Sequence, residues 1–258
     1  MGHKSEIVSG AVKRNTKIAE GVYELVIGSS ACAAYIPGQF VNIYLDDKSM
    51  LLPRPISICD AGSGNITLVY KVAGKGTGYL SEYSEKRPIK FSTPLGNGYC
   101  INEDYSGRHI ALVAGGIGIP PMIGLAKTLN ERNANVNVFL GYQSEVFLAH
   151  KLKEFSGKVS ISTDDGNFGY RGNVVDMLKG SSIYDEYFAC GPKGMLKALS
   201  GYAKNIDREI QVSVEERMGC GYGACFGCSC KISDEGESVR KLVCKDGPVF
   251  WGRDLLWE

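Results

Sequence analysis

Four cysteines, Cys220, Cys225, Cys228 and Cys244, have the type and spacing to hold a redox centre. The first three follow C-x4-C-x2-C, and the fourth comes after fifteen intervening residues. This is the plant-type spacing for a [2Fe–2S] cluster, held by one crowded loop and one distant thiolate. The loop, Gly219-Cys220-Gly221-Tyr222-Gly223-Ala224-Cys225-Phe226-Gly227-Cys228-Ser229-Cys230, is rich in glycine. Such a backbone can wrap closely around sulfides, accept positive φ angles and aim N–H groups inward. A centre of this kind exchanges one electron at a time, so the spacing points to electron transfer. Zinc is the alternative for four cysteines, but zinc ribbons pair two C-x2-C hooks, whereas here a hook of three faces a lone partner. A disulfide framework fits less well, because 258 residues can bury a core without staples and nine cysteines are an odd number. Cys230 competes with Cys228 as a ligand; the x2 spacing favours Cys228 and leaves Cys230 as a packed neighbour. Cys32, Cys59 and Cys100 have no ligand-like partners and read as small buried apolar residues.

A second chemical signal is Gly115-Gly116-Ile117-Gly118-Ile119-Pro120-Pro121. It follows the apolar run His109 to Ala114, which reads as a strand buried on both faces, and precedes a helical stretch from Met122 to Asn130. Between strand and helix, glycines let a backbone approach a pyrophosphate, with helix N–H groups aimed at it. Pro121 stands where G-x-G-x-x-G has its third glycine, and proline suits the first turn of a helix. A purely structural tight turn is the alternative reading. A third signal is Arg54-Pro55-Ile56-Ser57-Ile58, where a guanidinium and a hydroxyl suit a cofactor that is both phosphate-bearing and aromatic. Gly74-Lys75-Gly76-Thr77-Gly78 would close over the phosphates, an ordinary basic strand and flexible turn being the alternative.

The elements that must position these residues fall into two patterns. Through the first hundred residues, Val22 to Ile27, Phe40 to Leu45 and Ile66 to Lys71 read as short strands divided by Pro37-Gly38 and the Ala61 to Asn65 turn. A small antiparallel barrel follows, with one helix expected around Gly78 to Tyr83. From about residue 108, strands alternate with helices. Val136 to Leu140, Val159 to Thr163, Tyr184 to Ala189 and Ile210 to Val214 are the further strands, with a helix from Lys193 to Lys204. Alternation implies right-handed crossovers and a parallel sheet. The cluster segment follows with almost no linker and should pack on this sheet. The expected architecture is therefore multi-domain, β plus α/β. A β-barrel spans residues 1–103, a nucleotide-binding α/β domain 104–214 and a cluster-binding segment 215–258.

Lysine plus arginine (29) nearly balances aspartate plus glutamate (28), which gives no electrostatic case for nucleic acid or an acidic membrane. The opening Met1 to Glu6 lacks a signal core and misses the myristoylation pattern, and no run is long enough to span a membrane. Spare thiols beside a cluster fit a reducing cytoplasm.

In order along the chain stand PGQF (Pro37 to Phe40), RPIS (Arg54 to Ser57), GKGT (Gly74 to Thr77), PLGNG (Pro94 to Gly98), GGIG (Gly115 to Gly118) and CGP (Cys190 to Pro192). Together they resemble the ferredoxin-reductase family of flavoproteins. Glu215-Glu216-Arg217-Met218-Gly219-Cys220 and the cluster spacing narrow the resemblance to electron-transfer subunits of NAD-dependent, B-type dihydroorotate dehydrogenases, over essentially the whole chain. The resemblance implies FAD in the barrel, held by Arg54, Pro55, Ile56, Ser57, Val69, Tyr70, Lys71, Gly76 and Thr77. It implies NAD at Gly115, Gly116 and Gly118, and a [2Fe–2S] cluster on Cys220, Cys225, Cys228 and Cys244. Ser92-Thr93 departs from the family, many members having glycine there. By the same resemblance Cys190 sits near the reacting edges of nicotinamide and flavin and helps align hydride transfer; a buried strand-end residue is the alternative. Glu215 and Glu216 read as a solvated charge pair, with a place beside the nicotinamide as the alternative.

The implied circuit runs from an external donor through the cluster and FAD to NAD, for pyrimidine biosynthesis. Three cofactor modules leave no room for the (β/α)8 barrel that would bind orotate, so dihydroorotate oxidation falls to an FMN-containing catalytic subunit in a 2+2 heterotetramer. An NAD(P)H-linked reductase subunit serving a hydrogenase, a sulfide dehydrogenase or a bifurcating ferredoxin reductase is the alternative, and a zinc-bearing nucleotide-binding module a more distant one. The non-basic Gly141 to Glu145 stretch favours NAD over NADP.

Overall fold

The computed structural model describes residues 6–257. Met1 to Ser5, on which part of the leader reading rests, lie outside the described residues. The first half forms a closed six-stranded barrel with spatial order β1-β2-β5-β4-β3-β6. Its strands are β1 (Ile7–Ala19), β2 (Val22–Gly28), β3 (Phe40–Tyr44), β4 (Arg54–Gly62), β5 (Asn65–Lys71) and β6 (Pro88–Ser92), all paired antiparallel. Alternate residues such as Leu25 and Ile27, Ile56 and Ile58, and Ile66 and Leu68 point into the barrel and are buried there. Each such side chain contributes roughly 1.5–3 kcal/mol by leaving water. Ile56 thus belongs to the barrel core, while its neighbours Arg54 and Ser57 remain accessible.

The barrel helix α1 (Lys75–Ser81) begins earlier than the sequence suggests. Thr77 explains this. Its hydroxyl accepts from the N–H groups of Ala73 and Gly74, so the glycine cluster is the helix start and not a loop before it. Arg87 and Asp46 then fasten α1 to the wall: the guanidinium lies 3.8 Å from the Tyr83 ring centre, and Tyr79 and Tyr83 both donate to Asp46.

The second half is built on β7 (His109–Gly115), α2 (Pro121–Glu131), β8 (Asn135–Tyr142), α3 (Ala149–Lys153), β9 (Lys158–Thr163), β10 (Tyr170–Arg171), α4 (Val174–Lys179), β11 (Glu186–Cys190), α5 (Lys193–Asn205) and β12 (Glu209–Ser213). These strands are parallel, in the order β10-β9-β8-β7-β11-β12. After β12 the chain forms the hairpin β13 (Ser229–Asp234) and β14 (Glu237–Leu242), then β15 (Val249–Trp251). The sheet extends beyond the strand at Ile210 to Val214, the last strand expected from the sequence. β15 returns to pair antiparallel with β12 and becomes a seventh, edge strand. Three residues after a proline carry too little periodicity to announce themselves. No helix among the described residues is long and apolar enough to cross a membrane.

Barrel and sheet are bolted together by charge as well as by apolar packing. Glu24 on β2 is buried and ion-paired with both Arg14 on β1 and Lys151 on α3. Burial pushes its pKa up, but the two cations override this and hold it below the ordinary carboxylate value. A depressed folded-state pKa contributes stability that is complete above the unfolded value and lost as pH falls through the folded one. Glu24→Gln is therefore expected to flatten the acid limb of the melting-temperature profile below about pH 5. A mutant limb as steep as wild type would show the triad to be inert.

Candidate redox-cofactor sites

The hairpin explains how a distant fourth thiolate reaches the cysteine loop. Ser229 pairs with Leu242, and the ladder continues through Val243 N–H donating to the Cys228 carbonyl at 3.0 Å. Cys228 and Cys244 therefore leave the open end of the hairpin side by side, and the Cys244 N–H points at Cys228 Sγ, 3.4 Å away. Both are buried. On the other side of the loop, Cys220 Sγ accepts from the N–H groups of Ala224 (3.3 Å) and Cys225 (3.4 Å). Gly221 and Gly223, with φ of +76° and +89°, turn the chain tightly enough to present those donors. Partial burial works against a Cys220 thiolate, yet N–H groups of Tyr222, Cys225 and Ala224 and the Cys225 thiol bring its pKa down to about 6. Cys244 is pushed up to about 12, by burial first and then by the neighbouring Cys228.

The thiols thus form two couples, Cys220 with Cys225 and Cys228 with Cys244. Among the described residues, no three His, Cys, Asp or Glu side chains gather as a single metal ion would require. Two couples of sulfur, fed by backbone N–H groups, suit two irons better than one. Cys230 lies on β13, packed into the apolar cluster beneath the hairpin, with burial raising its pKa to about 11. Cys225 is exposed, and so are the rings of Tyr222 and Phe226 flanking it.

Two spans of sequence meet at the flavin-type motif. Arg54 opens β4, and its guanidinium lies against Gly76 so closely that any Cβ there would overlap it. The arginine and the glycine turn are thus brought together, as the sequence suggests. Val69 and Tyr70 turn opposite ways, Val69 toward the apolar cluster shared with the parallel sheet and Tyr70 into the barrel. The Tyr70 hydroxyl donates to Asn15 Oδ1 at 3.1 Å and its ring stacks on Tyr23, so what Tyr70 offers a ligand is backbone.

Lys71, one residue on, opens into a cleft of about 1130 Å³ that Gly115, Gly116 and Gly118 also line. The cleft sits at the carboxyl ends of β7, β8, β9 and β11, where open α/β sheets bind nucleotides. Its barrel side is the β1–β2 turn, and the Glu20 N–H donates to Glu145 across it at 2.7 Å. The glycines are dictated by the opposite loop. A Cβ on Gly118 would lie 2.5 Å from the Cys190 carbonyl carbon and 2.6 Å from the Gly191 nitrogen. One on Gly115 would lie 2.9 Å from Met195 Sδ, and Gly191 itself sits at φ +155°. The two glycine loops interlock, and α2 starts with Pro121 in its first turn.

Cys190 is only 2% exposed and does not line the cleft. Burial first, then Glu215, raises its thiol to about 12, which keeps it neutral. It supports the loop from beneath. Glu215 is solvent-exposed, as a member of a solvated pair would be, and it also lines the cleft, where partial desolvation raises its pKa. Glu216 faces away, 4.0 Å from Lys193. Asn42 gave no sequence signal at all. It is buried on β3, paired in register with Pro55, and its amide donates to the Cys220 carbonyl at 3.0 Å.

Residues 215–256 match the iron–sulfur cluster binding domain of dihydroorotate dehydrogenase B. The chain is 42% identical over 252 residues to the dihydroorotate dehydrogenase B (NAD(+)) electron transfer subunit of Geobacillus sp. (strain WCH70), covering 95% of this chain and 96% of that one. The protein of the same description from Bacillus caldolyticus is 41% identical, covering 93% and 94%. Among solved structures, one of an NADH-dependent reduced ferredoxin-NADP oxidoreductase, described for flavin-based electron bifurcation, superposes with a TM-score of 0.84 at 31% identity, over 96% of this chain and 90% of that one. The cofactor set of the chain is accordingly [2Fe–2S], FAD and NAD, and the chain belongs to the family of dihydroorotate dehydrogenase B (NAD(+)) electron transfer subunits.

Proposed function

We propose that this chain receives electrons from a dihydroorotate dehydrogenase catalytic subunit and delivers them to NAD+, in the pathway to UMP. Nicotinamide exchanges a hydride, a [2Fe–2S] centre one electron, and a flavin can do both. The observation that carries the reading is the placement of the three candidate sites around one barrel. The cysteine loop hangs from β3, the Arg54–Ser57 motif lies on the adjoining β4, and the next strand, β5, ends at Lys71 in the nucleotide cleft. Arg54, Gly76 and Thr77 hold the flavin's phosphates, Ser57 and the β5 backbone its ring system, and Gly115 to Gly118 the pyrophosphate of NAD. Cys190 braces the loop under the nicotinamide, and Glu215 stands beside it.

The exposed Tyr222 and Phe226, flanking the exposed Cys225, mark the face turned to the catalytic subunit, which carries FMN and pairs with this chain as a 2+2 heterotetramer. The decisive test is dihydroorotate-dependent NAD+ reduction by this chain co-expressed with a candidate catalytic subunit. Activity requiring both chains supports the proposal. A flavin- and iron-loaded complex that oxidises NADH with dyes but never reduces NAD+ with dihydroorotate sinks it. The likeness to the bifurcating oxidoreductase favours, in that event, a reductase subunit with another redox partner.

The cleft also suits NAD better than NADP. Asp164 and Asp176 line its far end, and the lysine there, Lys179, is already 3.7 Å from Asp176. A 2′-phosphate would meet carboxylates. Asp164→Ala is expected to raise kcat/KM for NADPH by roughly tenfold, the equivalent of about 1.4 kcal/mol. An unchanged NADH-to-NADPH ratio would place the discrimination elsewhere.

A further inference from the structure

Asn42 is a polar side chain with no assigned part in flavin, nucleotide or iron binding, yet it touches a residue from two of those sites. It is fully buried in the barrel wall, opposite Pro55 of the flavin motif. A buried amide ordinarily finds partners for both of its ends. Here the backbone N–H donates to Ser92 Oγ at 2.9 Å and Nδ2 donates to the Cys220 carbonyl at 3.0 Å. Oδ1 has no hydrogen-bond partner. An unsatisfied buried acceptor costs about 1–3 kcal/mol, which an apolar residue of the same shape would avoid. Its neighbours fix the orientation, because turning the amide over would set its oxygen against the Cys220 carbonyl oxygen.

The loop is fitted to this amide from the other side as well. Gly221, at φ +76°, lies so close that a Cβ would stand 2.5 Å from Nδ2 and 2.6 Å from Oδ1. The peptide between Cys220 and Gly221 therefore rests flat on one side chain of the barrel. Farther round and beyond the cysteines, Asn97 also ties the barrel to this segment, its Nδ2 donating to the Asp246 carbonyl at 2.9 Å and its N–H to the Gly247 carbonyl at 2.6 Å.

We infer that Asn42 is the positioning residue for the [2Fe–2S] site, holding the Cys220 peptide at a fixed place on the strand next to the flavin motif. It acts through Cys220, with no contact to iron required. The unpaired Oδ1 is the consequence of placing an amide where only its donor is needed. The inference rests on the reading of Cys220 as a cluster ligand. Outer partners of this kind commonly hold about 10–100-fold of a site's metal affinity.

The test uses the full chain isolated with its iron, comparing wild type with Asn42→Asp, which keeps the shape but replaces the donor by an acceptor. Iron release to a chelator is expected to accelerate by roughly tenfold or more. The electron paramagnetic resonance spectrum of the dithionite-reduced protein and the midpoint potential of its cluster are expected to move as well. Ser92→Ala removes the β6 hydroxyl that accepts from the Asn42 backbone N–H without touching Cys220, and should leave all three readings near wild type. Should Asn42→Asp not fold, Asn42→Ala carries the same expectation without burying a charge. An iron-loaded Asn42 variant indistinguishable from wild type overturns this inference alone, as does a Ser92→Ala protein with the same changes. A wild-type chain devoid of iron and acid-labile sulfide overturns both the inference and the cluster assignment beneath it.

Discussion

Gly118→Ala is expected to lower NADH oxidation by roughly 100-fold and to destabilise the chain by about 2–3 kcal/mol. The added methyl would meet the carbonyl of Cys190 and the nitrogen of Gly191, and backbone cannot swing aside as a side-chain tip can. Either β11 or the loop after β7 must move. The loops after β7 and β11 line the cleft, so the displacement falls on the segments proposed to align the nicotinamide. Gly116→Ala is the informative comparison. That residue, unlike Gly118, has a positive φ, +52°, and a Cβ there meets nothing within 4 Å. Its loss should be limited to the backbone term of about 1–2 kcal/mol. Thermal unfolding of the two variants, with NADH-dependent dye reduction measured alongside, separates steric collision from φ strain. Equal destabilisation of both would refute the interlocking of the two glycine loops.

Cys225→Ser should produce the second large effect, with a different signature. Cys225 is the exposed member of the four, so the substitution removes little packing. Serine oxygen is a poor substitute for a thiolate on iron, a metal that favours soft sulfur in such clusters. Iron and acid-labile sulfide should fall below roughly a tenth of wild type. In the complex with a catalytic subunit, dihydroorotate-dependent NAD+ reduction should drop by roughly 100-fold or more, because the one-electron stage is gone. NADH-dependent dye reduction, which draws on the barrel and the cleft, should fall by less than about threefold. Retention of full dihydroorotate-dependent activity in an iron-free variant would remove the cysteine loop from the pathway.

The chemistry was more legible in the sequence than its supports. The cysteine spacing and the two glycine loops are local patterns, fixed by what iron and phosphate require of a short segment. The long buried runs of β7 and β11 likewise declare a parallel sheet. β1 does not. Most of its thirteen residues are exposed or half-buried, and it owes its place to pairing with both β2 and β6. No alternation can reveal a strand specified mainly by its neighbours. Asn42 was invisible for a related reason, since a lone asparagine in an apolar strand acquires meaning only when Cys220, 178 positions away, is brought to it. The two glutamates look alike in the sequence, and only the fold separates Glu215, which lines the cleft, from Glu216, 4.0 Å from Lys193. Tyr70 shows the reverse limit: the motif that contains it is readable, but whether side chain or backbone faces the ligand depends on the strand's register.

The pairing of β15 with β12 sets Ser213 directly beside Val249. Everything between them, the whole iron-binding stretch, therefore departs from the sheet and rejoins it at one address. The stretch is a detour at the margin, threaded through neither the barrel nor the parallel strands. It also supplies its own closure, since its last strand covers the sheet edge that β12 would otherwise present to solvent.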